Sequence, residues 1–263
     1  MVQNHEIDYK IHGEELQFVE IELDPNETAI AEAGAFMMMD DGIEMQTIFG
    51  DGSQEQSGGF FSKLVKAGTR LLVGESLFIT AFTNTGQGKK KVSFASPYTG
   101  KIVVFDLKKL GGKVIAQKDA FLCAAKGVSI GIEFQRKLGT GLFGGEGFIM
   151  EKLEGDGLAF AHAGGHVIER DLLPGEILKV DTGCVVAYTD GIDFDVEMVK
   201  GVKNLMFGGE GFFFATLKGP GKVWLQSLPI SRLAGRILQY ATTTRKEEGS
   251  LLGGIGNLLD GRE

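Results

Sequence analysis

The chain has 263 residues, 43% of them hydrophobic, which is enough for a sizeable core and for one large domain or two to three small ones. Lys and Arg number 27 against 35 Asp and Glu, and this net charge of −8 argues against a generic nucleic-acid binder, because phosphate contacts need a clustered positive surface. Glycine is the outlier at 40 residues, while only 5 prolines exclude a collagen-like or Pro-rich disordered chain.

The opening stretch, MVQNHEIDYKIHG, is polar and mixed in charge. It shows no basic segment leading into an apolar one, so no secretory signal is expected and the cytoplasm is the default compartment. His5 and His12 lie here with no partner nameable from sequence. A lead-in, LDPNE (Leu23–Glu27), precedes an apolar run closed by a turn, GAFMMMDDG (Gly34–Gly42). Residues 48–72 hold a Gly/Ser/Gln-rich loop and then a predicted amphipathic helix, Phe60–Leu72, with Phe60, Phe61, Leu64 and Leu71 apolar and Lys63, Lys66 and Arg70 polar. VGESLFITAFTNTGQG follows, then the basic run GKKKV (Gly88–Val92), which reads as a solvated hairpin loop. FASPYTGKIVVFDL, DAFLCAAKG (Asp119–Gly127), HAGGH (His162–His166), LLPGE (Leu172–Glu176) and GCVVAYTDG (Gly183–Gly191) come next. A second helix is predicted over Pro229–Thr243, with Pro at its start, and the Gly-rich tail from Thr244 reads as loose. The longest apolar runs are far short of the roughly 20 residues that span a bilayer, so no transmembrane segment is expected. Cys123 and Cys184 sit in apolar runs and read as two reduced core thiols.

The strongest signal is internal repetition. Residues 142–161, LFGGEGFIMEKLEGDGLAFA, align without a gap to residues 206–225, MFGGEGFFFATLKGPGKVWL. FGGEGF is identical, and Leu153/Leu217, Gly155/Gly219, Gly157/Gly221 and Phe160/Trp224 stay in register, which marks Trp224 as core. Gly74–Glu75 supplies a weaker third copy. The turn-ending runs at Gly34–Gly42, Asp119–Gly127 and Gly183–Gly191 form a second anchor. From turn glycine to glutamate the spacing is 33, 19 and 19 residues, so the first copy carries 14 extra. The reading is three copies of one unit of about 65–70 residues. Units are expected at 1–95, with the insert near 48–72, at 96–161 and at 162–243, ahead of a tail at 244–263.

Each unit reads as β: short Val-, Ile- and Phe-rich runs end in Gly, Asp-Gly or Gly-Pro-Gly. Several runs are continuous rather than alternating (FMMM, IVVF, GFFFA), which predicts strands covered on both faces. The expected class is all-β with one or two short helices.

FGGEGF repeated, LVGESLFITAFTN, FASPYTGKIVVFDL and WLQSLP together resemble a bacterial family of unknown function related to the mitochondrial "altered inheritance of mitochondria" proteins. The resemblance runs from about Tyr9 to the Gly-rich tail. It implies three tandem domains similar to the tryptophan RNA-binding attenuation protein, each a short β-sandwich of the double-stranded β-helix type, in a pseudo-threefold arrangement. Such domains assemble side by side into rings, so a homotrimer of three-domain chains would close a nine-domain ring and cover its edge strands. The mitochondrial relatives' link to inner-membrane organisation hints at scaffolding.

Glu75, Glu146 and Glu210 occupy matching positions and could form a symmetry-related set of carboxylates; the simpler reading has each capping local N–H groups after a glycine turn. His162 and His166 have the i, i+4 spacing of helical metal ligands, but the two glycines between them read as strand, turn, strand, so no metal is expected. FGGEGF lacks the Lys-Ser/Thr of a phosphate-binding loop, and no GxSxG elbow is present. No cofactor is expected. The helix of the insert, with Phe60, Phe61, Lys63, Lys66 and Arg70, is the candidate surface for a protein partner or a peripheral membrane contact; the simpler reading has it capping the sandwich. The ring-forming relative binds RNA, but GKKKV is the only basic run here, so no nucleic-acid partner is expected. The expectation is a non-enzymatic binding or scaffold protein, with a pocket protein or enzyme acting between repeats as the alternative.

Overall fold

The computed structural model describes residues 4–32, 34–49, 78–96, 98–136, 148–198, 213–237 and 240. Their strands are β1 (Asp8–His12), β2 (Phe18–Leu23), β3 (Thr28–Glu32), β4 (Phe36–Met39), β5 (Ile43–Phe49), β6 (Phe78–Asn84), β7 (Lys90–Ala95), β8 (Gly100–Asp106), β9 (Lys113–Gln117), β10 (Phe121–Ala125), β11 (Ser129–Arg136), β12 (Phe148–Glu154), β13 (Leu158–Gly164), β14 (Val167–Leu172), β15 (Ile177–Asp181), β16 (Val185–Thr189), β17 (Asp193–Met198), β18 (Phe213–Lys218) and β19 (Gly221–Gln226). The protein is all-β, as its punctuated apolar runs predict. A helix occupies 230–237 directly after Pro229, inside the segment where one is expected.

The strands form four antiparallel sheets. The first runs β1-β2-β7-β4, the second β5-β6-β3-β10-β13-β8, the third β11-β12-β9-β16-β19-β14 and the fourth β15-β18-β17. They stack in series. Val19, Ile21, Val92 and Phe94 of the first sheet pack on Ala29, Phe82, Cys123 and Phe160 of the second. Ile30, Phe105 and Ala161 of the second meet Val114, Leu153 and Trp224 of the third. Phe148, Met150 and Val223 of the third meet Val196, Ala215 and Leu217 of the fourth.

This layering explains the hydrophobic patterns. The two middle sheets are covered on both faces, so β10 (FLCAA) is buried at every residue. The first sheet has one covered face, so β2 (FVEIEL) alternates between buried and half-buried positions. FMMM of β4 departs from the expectation of two covered faces. Phe36, Met37, Met38 and Met39 are 39%, 48%, 46% and 38% exposed, because β4 is the last strand of an outer sheet.

Turn chemistry matches the glycine content. Gly42 (φ 92°) and Gly127 (φ 103°) close the runs after β4 and β10 in a left-handed conformation that side chains disfavour. Gly191 closes the third such run for another reason: a Cβ there would lie 2.6 Å from the Pro220 carbonyl oxygen.

The second and third sheets share one plan at their centres. In the second, β3 pairs with β10 through Ala31–Cys123, Ile30–Ala124 and Ala29–Ala125. In the third, β9 pairs with β16 through Ala116–Ala187, Ile115–Tyr188 and Val114–Thr189. Both β10 and β16 follow a short 3-10 turn, Lys118–Ala120 or Thr182–Cys184. Both also slip in register against the next strand, between Phe121 and Cys123 on β13 and between Val185 and Ala187 on β19. β4 slips the same way against β7, between Phe36 and Met38. We call the β3–β10 and β9–β16 junctions the two seams.

Candidate functional site

A cavity of about 410 Å³ opens at the β3–β10 seam. Its polar wall is Glu32, Ser96, Tyr98, Asp119 and His162, and its apolar wall includes Ala35, Phe121, Leu122 and Ile230. Strand ends place these groups: Glu32 is the last residue of β3, Asp119 lies in the turn before β10, and His162 lies in β13 beside it.

Glu32 is exposed, opening onto the cavity, yet its surroundings withhold enough water to push its carboxyl up to about 7. Desolvation is the main cause; the Asp119 charge adds to it and Lys118 opposes it. His162 is only 2% exposed, and neither ring nitrogen has a partner in hydrogen-bonding geometry. Burial pulls its pKa down to about 4, opposed by the Tyr98 backbone, so the imidazole is neutral at pH 7. The Tyr98 ring meets it edge-on, 4.5 Å between centroids. Burial pushes the Tyr98 phenol up to about 12.

Behind the turn, on β12, Glu151 is 1% exposed and its Oε1 has no partner. Burial first, then the charge of Glu32, pushes its carboxyl up to about 8. Lys118 again opposes the shift and Asp119 adds to it.

The β9–β16 seam treats the matching positions differently. Gln117 ends β9 as Glu32 ends β3, and Gln226 follows Leu225 on β19 as His162 follows Ala161 on β13. The buried Gln226 side chain accepts from the Gly164 amide at 2.7 Å and donates to the Gly183 carbonyl at 2.8 Å. One amide therefore satisfies two buried backbone groups, whereas His162 satisfies none.

The sequence-selected residues fare unevenly. Glu75, Glu146 and Glu210 lie outside the described residues, as do Phe60, Phe61, Lys63, Lys66 and Arg70 of the insert. His162 and His166 do not converge: the first is buried in β13, while the second is exposed beyond its end. Among the described residues no group of three or more His, Cys, Asp and Glu could hold a metal ion. Both cysteines are free; Cys123 is buried as expected, but Cys184 is only half-buried. In the basic run, Lys89 meets Asp8 at 3.0 Å and Glu22 at 2.8 Å, and Lys91 meets Glu20 at 2.8 Å. Lys90 and Lys91 belong to β7 rather than to a loop. The two N-terminal histidines have surroundings the sequence did not name: His5 Nδ1 accepts from the Thr28 amide at 2.9 Å, and His12 stacks on Phe18. Trp224 is core, edge-on to Phe105 at 5.0 Å, and its Nε1 donates to Glu169.

Sequence reasoning missed Glu32, Tyr98 and Asp119. The available signal was departure from the repeat. Asp119 stands where the other anchors have Gly34 and Gly183, and Glu32 stands 85 residues before Gln117, the same offset that separates Phe36 from Phe121.

Four stacked antiparallel sheets with a partly polar cavity at one seam define an all-β protein. No described helix is long and apolar enough to cross a membrane. The chain belongs to the family described as mitochondrial biogenesis AIM24, which matches residues 9–228. It is 30% identical over 230 residues to an uncharacterised protein of Streptococcus pyogenes serotype M6, covering 86% of this chain and 87% of that one. The crystal structure of another Streptococcus pyogenes protein has the same fold, with a TM-score of 0.68 at 23% identity, covering 89% of this chain and 99% of that one.

Proposed function

We propose that this chain is a non-enzymatic assembly protein that joins its own copies edge to edge into a ring and serves as a binding scaffold. One observation carries the reading: the outer sheets are the two halves from which the middle sheets are made. The second sheet joins a half β5-β6-β3 to a half β8-β13-β10, and the third joins β11-β12-β9 to β14-β19-β16. The first sheet is a half of the second kind, β2-β7-β4, with β1 added beyond β2, and it ends at β4. The fourth is a half of the first kind, β15-β18-β17, which ends at β15. Three units in chain order, β2–β7, β8–β13 and β14–β19, account for this pattern and support a triplication of domains similar to the tryptophan RNA-binding attenuation protein.

The two unpaired halves complement each other. Transferring the seam register, Met38 of one copy faces Val180 of the next, Met39 faces Lys179 and Asp40 faces Leu178. The exposed apolar strand Phe36–Met39 then becomes a covered one. An uncovered apolar edge of this kind invites association, and burying each such side chain fully contributes about 1.5–3 kcal/mol. The link is head-to-tail, which closes as a ring when the rotation between copies returns the last edge to the first, and three copies are the number expected to close it.

Light scattering on the full chain tests this. Wild type is expected at three times the 28.3 kDa chain mass. Met39→Lys, which sets two lysines opposite each other, is expected at the mass of one chain with unchanged circular dichroism. A monomeric wild type, or an unaltered mass for Met39→Lys, contradicts the reading.

A further inference from the structure

We propose that the cavity at the β3–β10 seam binds a small organic ammonium ion, its charge against Glu32 and Tyr98 and its apolar body against Phe121 and Leu122. This site is independent of assembly, since one copy supplies every wall named.

Three observations carry it. The cavity, at about 410 Å³, lies in the size range of small-molecule sites. Its wall holds a buried imidazole with two unpartnered nitrogens, and a neutral ring keeps one of them as an acceptor. At the other seam the glutamine in that place satisfies its neighbours within the protein. At this seam the hydrogen-bonding demand is left for a guest.

The charge of the wall selects the guest. Glu32 and Asp119 line the cavity directly, and Glu151 behind them lies near enough for the Glu32 charge to raise its carboxyl. Lys118 is the cation that opposes them. A carboxylate or phosphate ligand would meet two acidic side chains. An ammonium ion instead compensates Glu32, which is partly protonated near pH 7 and would release that proton to solvent as the cation arrives. The ammonium N–H groups can donate to Glu32 and, once the enclosed His162 ring turns toward the guest, to its acceptor nitrogen, and the Tyr98 ring adds a cation–π contact.

The test titrates the full chain with phenethylammonium chloride at pH 7, following ligand NMR signals and heat. The neutral 2-phenylethanol and the anionic 3-phenylpropanoate serve as matched probes. The ammonium probe is expected to bind with a Kd below about 1 mM. It should bind at least about tenfold more tightly than the alcohol, with no binding of the anion, and Glu32→Gln should weaken it about tenfold or more, a difference of about 1.4 kcal/mol. Thermal melting confirms that Glu32→Gln is folded. Met39→Lys should bind the probe as wild type does, which separates this site from the ring. No binding of the ammonium probe up to about 10 mM, equal binding of the alcohol, or unchanged binding by Glu32→Gln overturns the proposal.

Discussion

FLCAA of β10 is buried at all five residues, and FMMM of β4 is exposed at all four. Each is the end strand of a half-sheet, and each slips by one residue against the middle strand near its own start. The difference is the company each keeps. β10 has β3 on its other side, while β4 pairs only with β7 among the described residues. An apolar strand with an open edge and a buried one can therefore carry the same kind of sequence. Under the proposed assembly, the exposure of β4 in one copy reflects a missing neighbour rather than a property of the strand.

The comparison can be broken at a closed seam first. Gln226→Ala leaves the Gly164 amide and the Gly183 carbonyl unpaired in the interior. Each orphaned group costs about 1–3 kcal/mol, so urea unfolding should show a loss of about 2–6 kcal/mol. His162→Gln removes no hydrogen bond and should change stability less. Equal losses for the two variants would mean that the seams do not differ in the way described.

A smaller effect concerns protons. Glu151 has its folded-state pKa raised from 4.5 to about 8, and Glu32 to about 7. A raised carboxyl contributes stability that is complete below its unfolded pKa and is lost as pH rises through the folded value. His162, lowered from 6.5 to about 4, acts in the opposite sense: its contribution is present above 6.5 and lost as pH falls toward 4. The melting temperature should therefore fall between pH 5 and pH 9. Glu151→Gln should flatten that decline and melt higher than wild type at pH 9. A decline of the same slope in the variant would remove Glu151 as its source.

Much of the fold was legible because strand ends are written in local chemistry. Gly42, Gly127 and Gly191 mark where runs stop, and the helix follows Pro229. β1 was not legible: DYKIH carries no apolar run and forms an exposed edge strand. The exposure of β4 was not legible either, since FMMM reads the same whether its neighbour belongs to this chain or to another copy. The site escaped for a different reason. Repetition directs attention to Glu75, Glu146 and Glu210, which match across copies. A cavity on one seam alone has to come from residues that break the match, such as Asp119 against Gly34 and Gly183.

The edge-to-edge claim is met most directly by a cross-link. Facing residues on antiparallel strands bring their Cα atoms to about 4.5–5.5 Å, within the reach of a disulfide. A chain carrying both Met38→Cys and Val180→Cys, oxidised and run without reductant, should yield covalent species of two and three chains, while either single variant yields none. Single chains only, or a bond formed within one chain, would contradict the pairing of β4 with β15 of a neighbour.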